Sequence, residues 1–170
     1  MPSLVGSEMC IRDRVTTAYP SSNFALDGYF LLGEIYEDTK SFSQAFMAYQ
    51  EIVSRWPEHP RRQEAVKRRL RIAGKVKKLY LVDKNLSDIT FLKSLTKVET
   101  LDLLDNQIND VSVLAKLTQL KSLNLYNNHL TDVSALAELK QLTGLNLGNN
   151  QITNLSALAK LTKLEVLYLR

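Results

Sequence analysis

Leu120-Lys121-Ser122-Leu123-Asn124-Leu125-Tyr126-Asn127-Asn128-His129-Leu130-Thr131-Asp132-Val133-Ser134-Ala135-Leu136-Ala137-Glu138-Leu139-Lys140-Gln141 decides the architecture of this chain. Apolar residues fall at 120, 123, 125, 130, 133, 136 and 139, and the pattern starts again at Leu142. Aligning the chain with itself at 22 residues gives starts at Val76, Val98, Leu120, Leu142 and Leu164, four full periods and a fifth start. One such unit cannot bury its own apolar face, so its neighbours must cover it, and the segment is a solenoid.

The spacing inside the unit sets the shape of one coil. Leu123 and Leu125 alternate with Ser122, Asn124 and Tyr126, which predicts a short strand with one buried face. Equivalent strands stack as a parallel sheet on the concave side. Asn128 follows the strand at a tight turn, where its amide can satisfy backbone groups of adjoining coils. Asn106, Asn128 and Asn150 then form a ladder inside the solenoid. The stretch Asp132-Val133-Ser134-Ala135-Leu136-Ala137 predicts a capping Ser and about one helical turn on the convex side.

The unit matches L-x-x-L-x-L-x-x-N-x-L, so residues 76–170 resemble the leucine-rich repeat family, in its 22-residue internalin-like class. The resemblance implies a protein-binding function and a bacterial source. Two departures stand out. Lys84 replaces Asn at the first ladder position, marking that unit as a terminal one. The chain stops at Arg170, midway through the fifth unit, so the sequence is expected to be a fragment.

The preceding residues are a different architecture. Residues 76–170 hold 25 leucines and residues 1–75 only 5, while the aromatics divide 4 against 9. Ser22-Asn23 can cap a helix running from Phe24 through Tyr29, Leu32 and Tyr36. Ser41 can cap a second, with Phe42, Ala45, Tyr49 and Ile52/Val53 as its stripe, ended by Pro57 and Pro60. Tyr29-x2-Leu32-Gly33-x2-Tyr36, then Ala45-x3-Tyr49, then Pro57, resembles the tetratricopeptide repeat. Tyr29 and Tyr49 stand where Trp and Phe are usual, and Ile52 where Ala is preferred. Trp56-Pro57 echoes Tyr19-Pro20 at a step of 37 residues. In the family's register Asp27, Phe30, Glu34, Glu37 and Asp38 line the groove, an acidic set suited to a basic ligand or to solvation. Residues 61–75 read as a third, capping helix with Ala65, Val66, Leu70 and Ala73 as its apolar stripe.

The expected organisation is therefore an α/β repeat protein. Residues 15–75 form a tetratricopeptide-like α-hairpin with a capping helix, and residues 76–170 a leucine-rich-repeat solenoid with a short-stranded parallel sheet. Leu4 to Asp13 back-translates to a transposase-type sequencing adapter read in one frame, so residues 1–14 are expected to be an artefact without structure. On that reading Cys10 carries no meaning, and the native N-terminus, with any export signal, is missing.

Charge points to one place. The net charge is +4, and residues 61–75 alone carry +6. A basic helix with adjoining lysines, residues 61–78, is the candidate for binding an anionic polymer or lipid surface. No aromatic interleaves that run, so nucleic acid is not the expected partner. No stretch approaches the length of a membrane span.

Catalytic spacing is absent. There is no H-E-x-x-H, no G-x-S-x-G, no phosphate-cradling glycine loop and no cysteine cluster. His59 and His129 read as exposed polar residues, and the recurring Asp88, Asp110, Asp132 and Asn154 as turn and capping residues. No cofactor, metal or enzymatic activity is expected. The expected function is protein or peptide binding, with the bacterial envelope or exterior as the location. The candidate contacts lie on the concave face: Tyr80, Val82 and Asp83; Asp102, Leu104 and Asp105; Asn124, Tyr126 and Asn127; Asn146 and Asn149; and Tyr168. Tyr80, Leu104, Tyr126 and Tyr168 are expected to form one patch with the polar residues as its rim.

Overall fold

The computed structural model describes residues 22–170; the adapter-like stretch, Cys10 and the Tyr19-Pro20 pair lie outside the described residues. The chain divides into two compact units between Ile72 and Ala73.

The first unit holds three helices, α1 (Asn23–Asp38), α2 (Phe42–Arg55) and α3 (Arg62–Ala73). Ser22 caps α1 as expected, its hydroxyl accepting from the Ala25 N–H at 3.2 Å. Ser41 stands at the N-cap of α2 but makes no side-chain capping bond. Its hydroxyl accepts instead from Thr39 Oγ1 at 3.3 Å. The hairpin core is Ala25, Leu26, Tyr29, Phe30 and Leu32 against Ala45, Phe46, Ala48, Tyr49 and Ile52. Gly33 is small of necessity: a Cβ there would lie 2.5 Å from the Tyr49 ring. Tyr29 meets Trp56 edge-on at 6.0 Å, closing the far end of the hairpin. Phe24, expected on the apolar stripe, is instead 85 % exposed, because the buried face of α1 begins at Ala25 and Leu26.

Helix α3 corrects the expected stripe. Ala65, Ile72 and Ala73 are buried, while Leu70 is half exposed. The inward position between Ala65 and Ile72 belongs to Arg69. Its guanidinium sits 5.8 Å from the Phe46 ring and donates to Gln50 Oε1. Burial pushes its basicity down. A helix with arginine and lysine almost all round gives its periodicity no contrast, so the stem of Arg69 can replace leucine on the packed side.

In the second unit five three-residue strands alternate with four short 3-10 helices. The strands are β1 (Lys78–Tyr80), β2 (Thr100–Asp102), β3 (Ser122–Asn124), β4 (Gly144–Asn146) and β5 (Val166–Tyr168), parallel and in sequence order. Each pairs with the next at a constant offset of 22 residues, Leu79 with Leu101, Leu101 with Leu123, and onward to Leu167. The core leucines from Leu79 to Leu147 are buried to within a few per cent.

Asparagine carries the turn. Asn128 Oδ1 accepts from Ile108 N–H at 3.0 Å, and Nδ2 donates to the carbonyls of Leu103, Leu125 and Tyr126 at 3.0, 3.1 and 3.2 Å. Asn106 serves Lys84 and Leu86 N–H and the Leu81 carbonyl, and Asn150 serves Leu130 N–H and the Leu125 carbonyl. Each rung thus satisfies the coil before it. Coil one has no preceding coil to serve, which explains why Lys84 can occupy its ladder position.

The expected helical turn of the convex return is a 3-10 helix of five residues in each coil. The expected serine cap does not form; the aspartates and Asn154, expected as turn and capping residues, hold the entry to the helix. Asp88, Asp110, Asp132 and Asn154 accept from the backbone N–H two residues on, at 2.7–2.9 Å. Ser112 and Ser134 then donate their hydroxyls back to Asp110 and Asp132. These N–H bonds, with the serine hydroxyl, hold the Asp132 carboxyl below the ordinary aspartate range.

Candidate functional site

Register decides which concave side chains meet. The outward residues of the strands align as Tyr80, Asp102, Asn124, Asn146 and Tyr168. Two residues further on, the backbone ladder continues from Asp83 N–H to the Leu104 carbonyl, Asp105 N–H to Tyr126 and Asn127 N–H to Gly148. Val82, Leu104, Tyr126 and Gly148 therefore form a second row beside the first.

The two rows differ in chemistry. In the first, Asn124 Nδ2 donates to Asp102 Oδ1 at 3.0 Å. Asp102, Asn124 and Asn146 each accept from the N–H of the second row at 3.1 Å, at Leu104, Tyr126 and Gly148. The polar row thus pins the backbone that presents the apolar one. In the second row, Tyr126 lies across Gly148, where an added Cβ would come within 2.8 Å of its ring. Tyr126 and Leu104 are both half-buried.

The expected single patch is therefore two features. Leu104 and Tyr126 are neighbours. Tyr80 and Tyr168, 59 % and 61 % exposed, stand at opposite ends of the polar row with three polar side chains between them. At a strand spacing of about 4.8 Å that puts roughly 19 Å between the two tyrosines.

Asp83, Asp105, Asn127 and Asn149 have a structural duty that the sequence reading missed. Their φ angles are 52, 54, 53 and 51°, the left-handed region that Asn and Asp tolerate best. Asn127 Nδ2 also donates to Asp105 Oδ1 at 2.8 Å, and Asn149 to Asn127. The signal was present: an Asp or Asn stands immediately before each ladder position.

At the start of the strands, Glu99 lies between Lys121 at 2.7 Å and Lys77 at 3.1 Å. The hydrogen bond from Lys121, with that from Lys77, holds its carboxyl below the ordinary glutamate range. Among the described residues no group of three metal-ligating side chains occurs. His59 Nδ1 accepts from the Arg61 N–H at 3.1 Å at the entry to α3, and His129 is exposed.

The other candidate surfaces lie in the helical unit, and they cover each other. Arg61 pairs with Asp27 at 2.5 Å, Arg68 with Glu34 at 2.6 Å, and Arg71 with Glu37 at 2.7 Å. Arg61 also stacks 4.0 Å from the centre of the Phe30 ring, which is buried rather than open to a groove. Each ion pair joins residues 34 apart, the offset at which α3 packs along α1. The 37-residue step read from Tyr19-Pro20 and Trp56-Pro57 involves residues outside those described. Three arginines of the basic helix thus take up the three acids Asp27, Glu34 and Glu37, and of the five groove positions Asp38 lies outside these contacts.

Residues 99–138 and 140–170 match the family model for leucine-rich repeats. The structure resembles that of an internalin, InlF, from Listeria monocytogenes. The TM-score is 0.57 and the identity 35 %, over 58 % of this chain and 29 % of that one. It also resembles the functional domain of InlJ from the same organism. There the TM-score is 0.54 and the identity 25 %, over 57 % of this chain and 21 % of that one. The second unit is an internalin-like leucine-rich repeat solenoid. No curated protein matches the chain.

The chain spans less than a third of the length of the internalin InlF. The InlJ domain includes a cysteine ladder; the internalin-like solenoid here has no cysteine, and asparagine forms its ladder. Its buried leucines, ladder asparagines and left-handed turn residues are spoken for by the coil. Variation is left to the outward strand positions and to the exposed turns between the 3-10 helices and the strands.

Proposed function

We propose that the protein is a non-catalytic interaction scaffold whose solenoid binds a protein partner on its concave face. The observation that supports this reading is the Leu104–Tyr126 pair. Tyr126 is held by Gly148 on one side and by a backbone pinned through Asn124, so its contact area is ordered before a partner arrives. Pre-ordering removes part of the entropy cost of binding, and a tyrosine adds a hydroxyl to an apolar surface. The polar row of Asp102, Asn124 and Asn146 provides the adjoining rim, with Tyr80 and Tyr168 as flanking contacts. A face about 19 Å across suits one helix or one extended segment.

The location that fits an internalin-like solenoid is the bacterial surface or exterior. Among the described residues no helix is long and apolar enough to cross a membrane.

The reading is tested by photo-crosslinking. A photoreactive phenylalanine at position 126 or 168 should capture a defined partner from host or bacterial surface extracts, and one at Val113 on the convex side should not. Capture from position 113 alone would refute the assignment of the face.

The alternative, anionic binding through residues 61–78, loses support from the ion pairs of Arg61, Arg68 and Arg71 with α1 and of Lys77 with Glu99.

A further inference from the structure

The internalin-like solenoid is electrically lopsided. From the outward strand position through the descending turn to the 3-10 helix, its coils carry six aspartates against one lysine and one arginine, Lys84 and Arg170. From the end of that helix back to the start of the next strand they carry nine lysines and three glutamates. The two edges therefore hold −4 and +6. A lysine at the last turn of a helix complements its dipole, and that accounts for Lys93, Lys116 and Lys160. It does not account for lysines beyond the helices.

Those residues form a lane. The turn joining each 3-10 helix to the next strand begins Thr96-Lys97, Thr118-Gln119, Lys140-Gln141 and Thr162-Lys163, all eight exposed and stacked one coil apart. The lane contains ammonium, amide and hydroxyl groups and no carboxylate. Lys163 Nζ donates to Gln141 Oε1 at 2.6 Å, and Lys140 Nζ to the Lys160 carbonyl at 3.5 Å, which tie neighbouring coils together along it. Among the described residues Lys97, Lys116, Lys140, Lys160 and Lys163 make no ion pair, unlike Lys77 and Lys121 beside Glu99.

We propose that this lane binds a linear anionic polysaccharide running across the coils. Ammonium groups spaced by coils meet the polymer's charges, and the threonine and glutamine side chains meet its hydroxyls. The lane has no aromatic ring on which a nucleic-acid base could stack and no arginine to grip a phosphate in two bonds. It has no apolar side chain to enter a lipid surface or to form the dry centre of a protein interface. Attachment by charge and counterion release needs neither. The site lies apart from the concave face, so a polymer and a protein partner can be held together.

The test uses the full chain and size-defined heparin oligosaccharide, titrated at several salt concentrations, with uncharged dextran as the blank. Heparin binding should exceed dextran at physiological salt. The triple variant Lys97→Gln, Lys140→Gln, Lys163→Gln should lose tenfold or more in affinity. Its dependence of log K on log salt should become shallower by about 2, on the scale of released counterions. A thermal melt should be unchanged, since all three side chains are exposed. Arg62→Gln with Lys67→Gln on α3, and Tyr126→Ala on the concave face, should leave heparin binding intact, which separates this site from both other surfaces. No binding above dextran, binding that survives the triple variant, loss on the α3 variant, or preference for single-stranded DNA or phosphatidylserine vesicles over heparin would each overturn the proposal.

Discussion

Asn128 is hydrogen bonded across a coil boundary to Leu103, its Nδ2 donating at 3.0 Å to a carbonyl 25 residues earlier in the chain. The same amide accepts from Ile108 in that earlier coil. One side chain thus satisfies backbone groups that no water reaches. Asn128→Leu should therefore destabilise the solenoid by about 3–5 kcal/mol, because two or more buried polar groups lose their partners at about 1–3 kcal/mol each. Lys84→Leu should cost less than about 0.5 kcal/mol, since Lys84 is exposed and serves no earlier coil. Urea melts of the two variants compare them directly, and equal shifts would remove the ladder argument.

The left-handed turn makes a second, sharper distinction. Asn127 has φ 53°. Asn127→Gly should change stability by less than about 0.5 kcal/mol, while Asn127→Val should cost about 1–2 kcal/mol for the strained backbone. If valine proved as tolerable as glycine in thermal melts, the turn would not require that conformation.

In the helical unit, Gly33→Ala should lower stability by about 1–3 kcal/mol, because the new methyl overlaps the Tyr49 ring. Tyr49→Leu in the same chain should recover part of that loss by opening space. A double-mutant cycle monitored by helical circular dichroism measures the coupling, and simple additivity would show that the two residues do not meet.

Tyr49 also sets a pH dependence. Burial, with its hydrogen bond to Glu37, pushes its hydroxyl from 10.0 up to about 12. A group whose folded value is raised favours folding in its protonated form. That contribution is complete below about pH 10 and is lost as pH rises from there through about 12. In an ultraviolet titration a tyrosine ionisation step should appear near pH 12, and Tyr49→Phe should remove it. A titration that finishes with no such step would contradict the Glu37 contact.

Much of the coil was legible because it repeats. A single unit gives an ambiguous run of leucines, but five copies at 22 residues fix which leucines face inward and which asparagines form the ladder. What repetition could not show was the division of labour at the convex turn. Asp132 and Ser134 are both good capping residues, and only the backbone geometry decides that the carboxylate takes the N–H. The two concave rows were legible in principle. Tyr80 and Tyr168 share the strand position of Asn124, and Leu104 and Tyr126 lie two residues later, so parity and register already separate them. In the helical unit the sequence misled where its pattern was weakest. Arginine surrounds α3, and choosing Leu70 over Arg69 for the inward face followed hydrophobicity where the stem of an arginine was what fitted. The pairing of α3 with the acids of α1 is a contact between distant residues that local periodicity does not encode.

The most direct test of the concave face is a titration of the crosslinked and identified partner against wild type and Tyr126→Ala, with thermal melts of both. The account predicts an affinity loss of about 1 kcal/mol or more, the scale of an interface hot spot. The change in melting temperature should be too small to explain it. Unchanged affinity for both Tyr126→Ala and Leu104→Ala would contradict the assignment of the partner to this face.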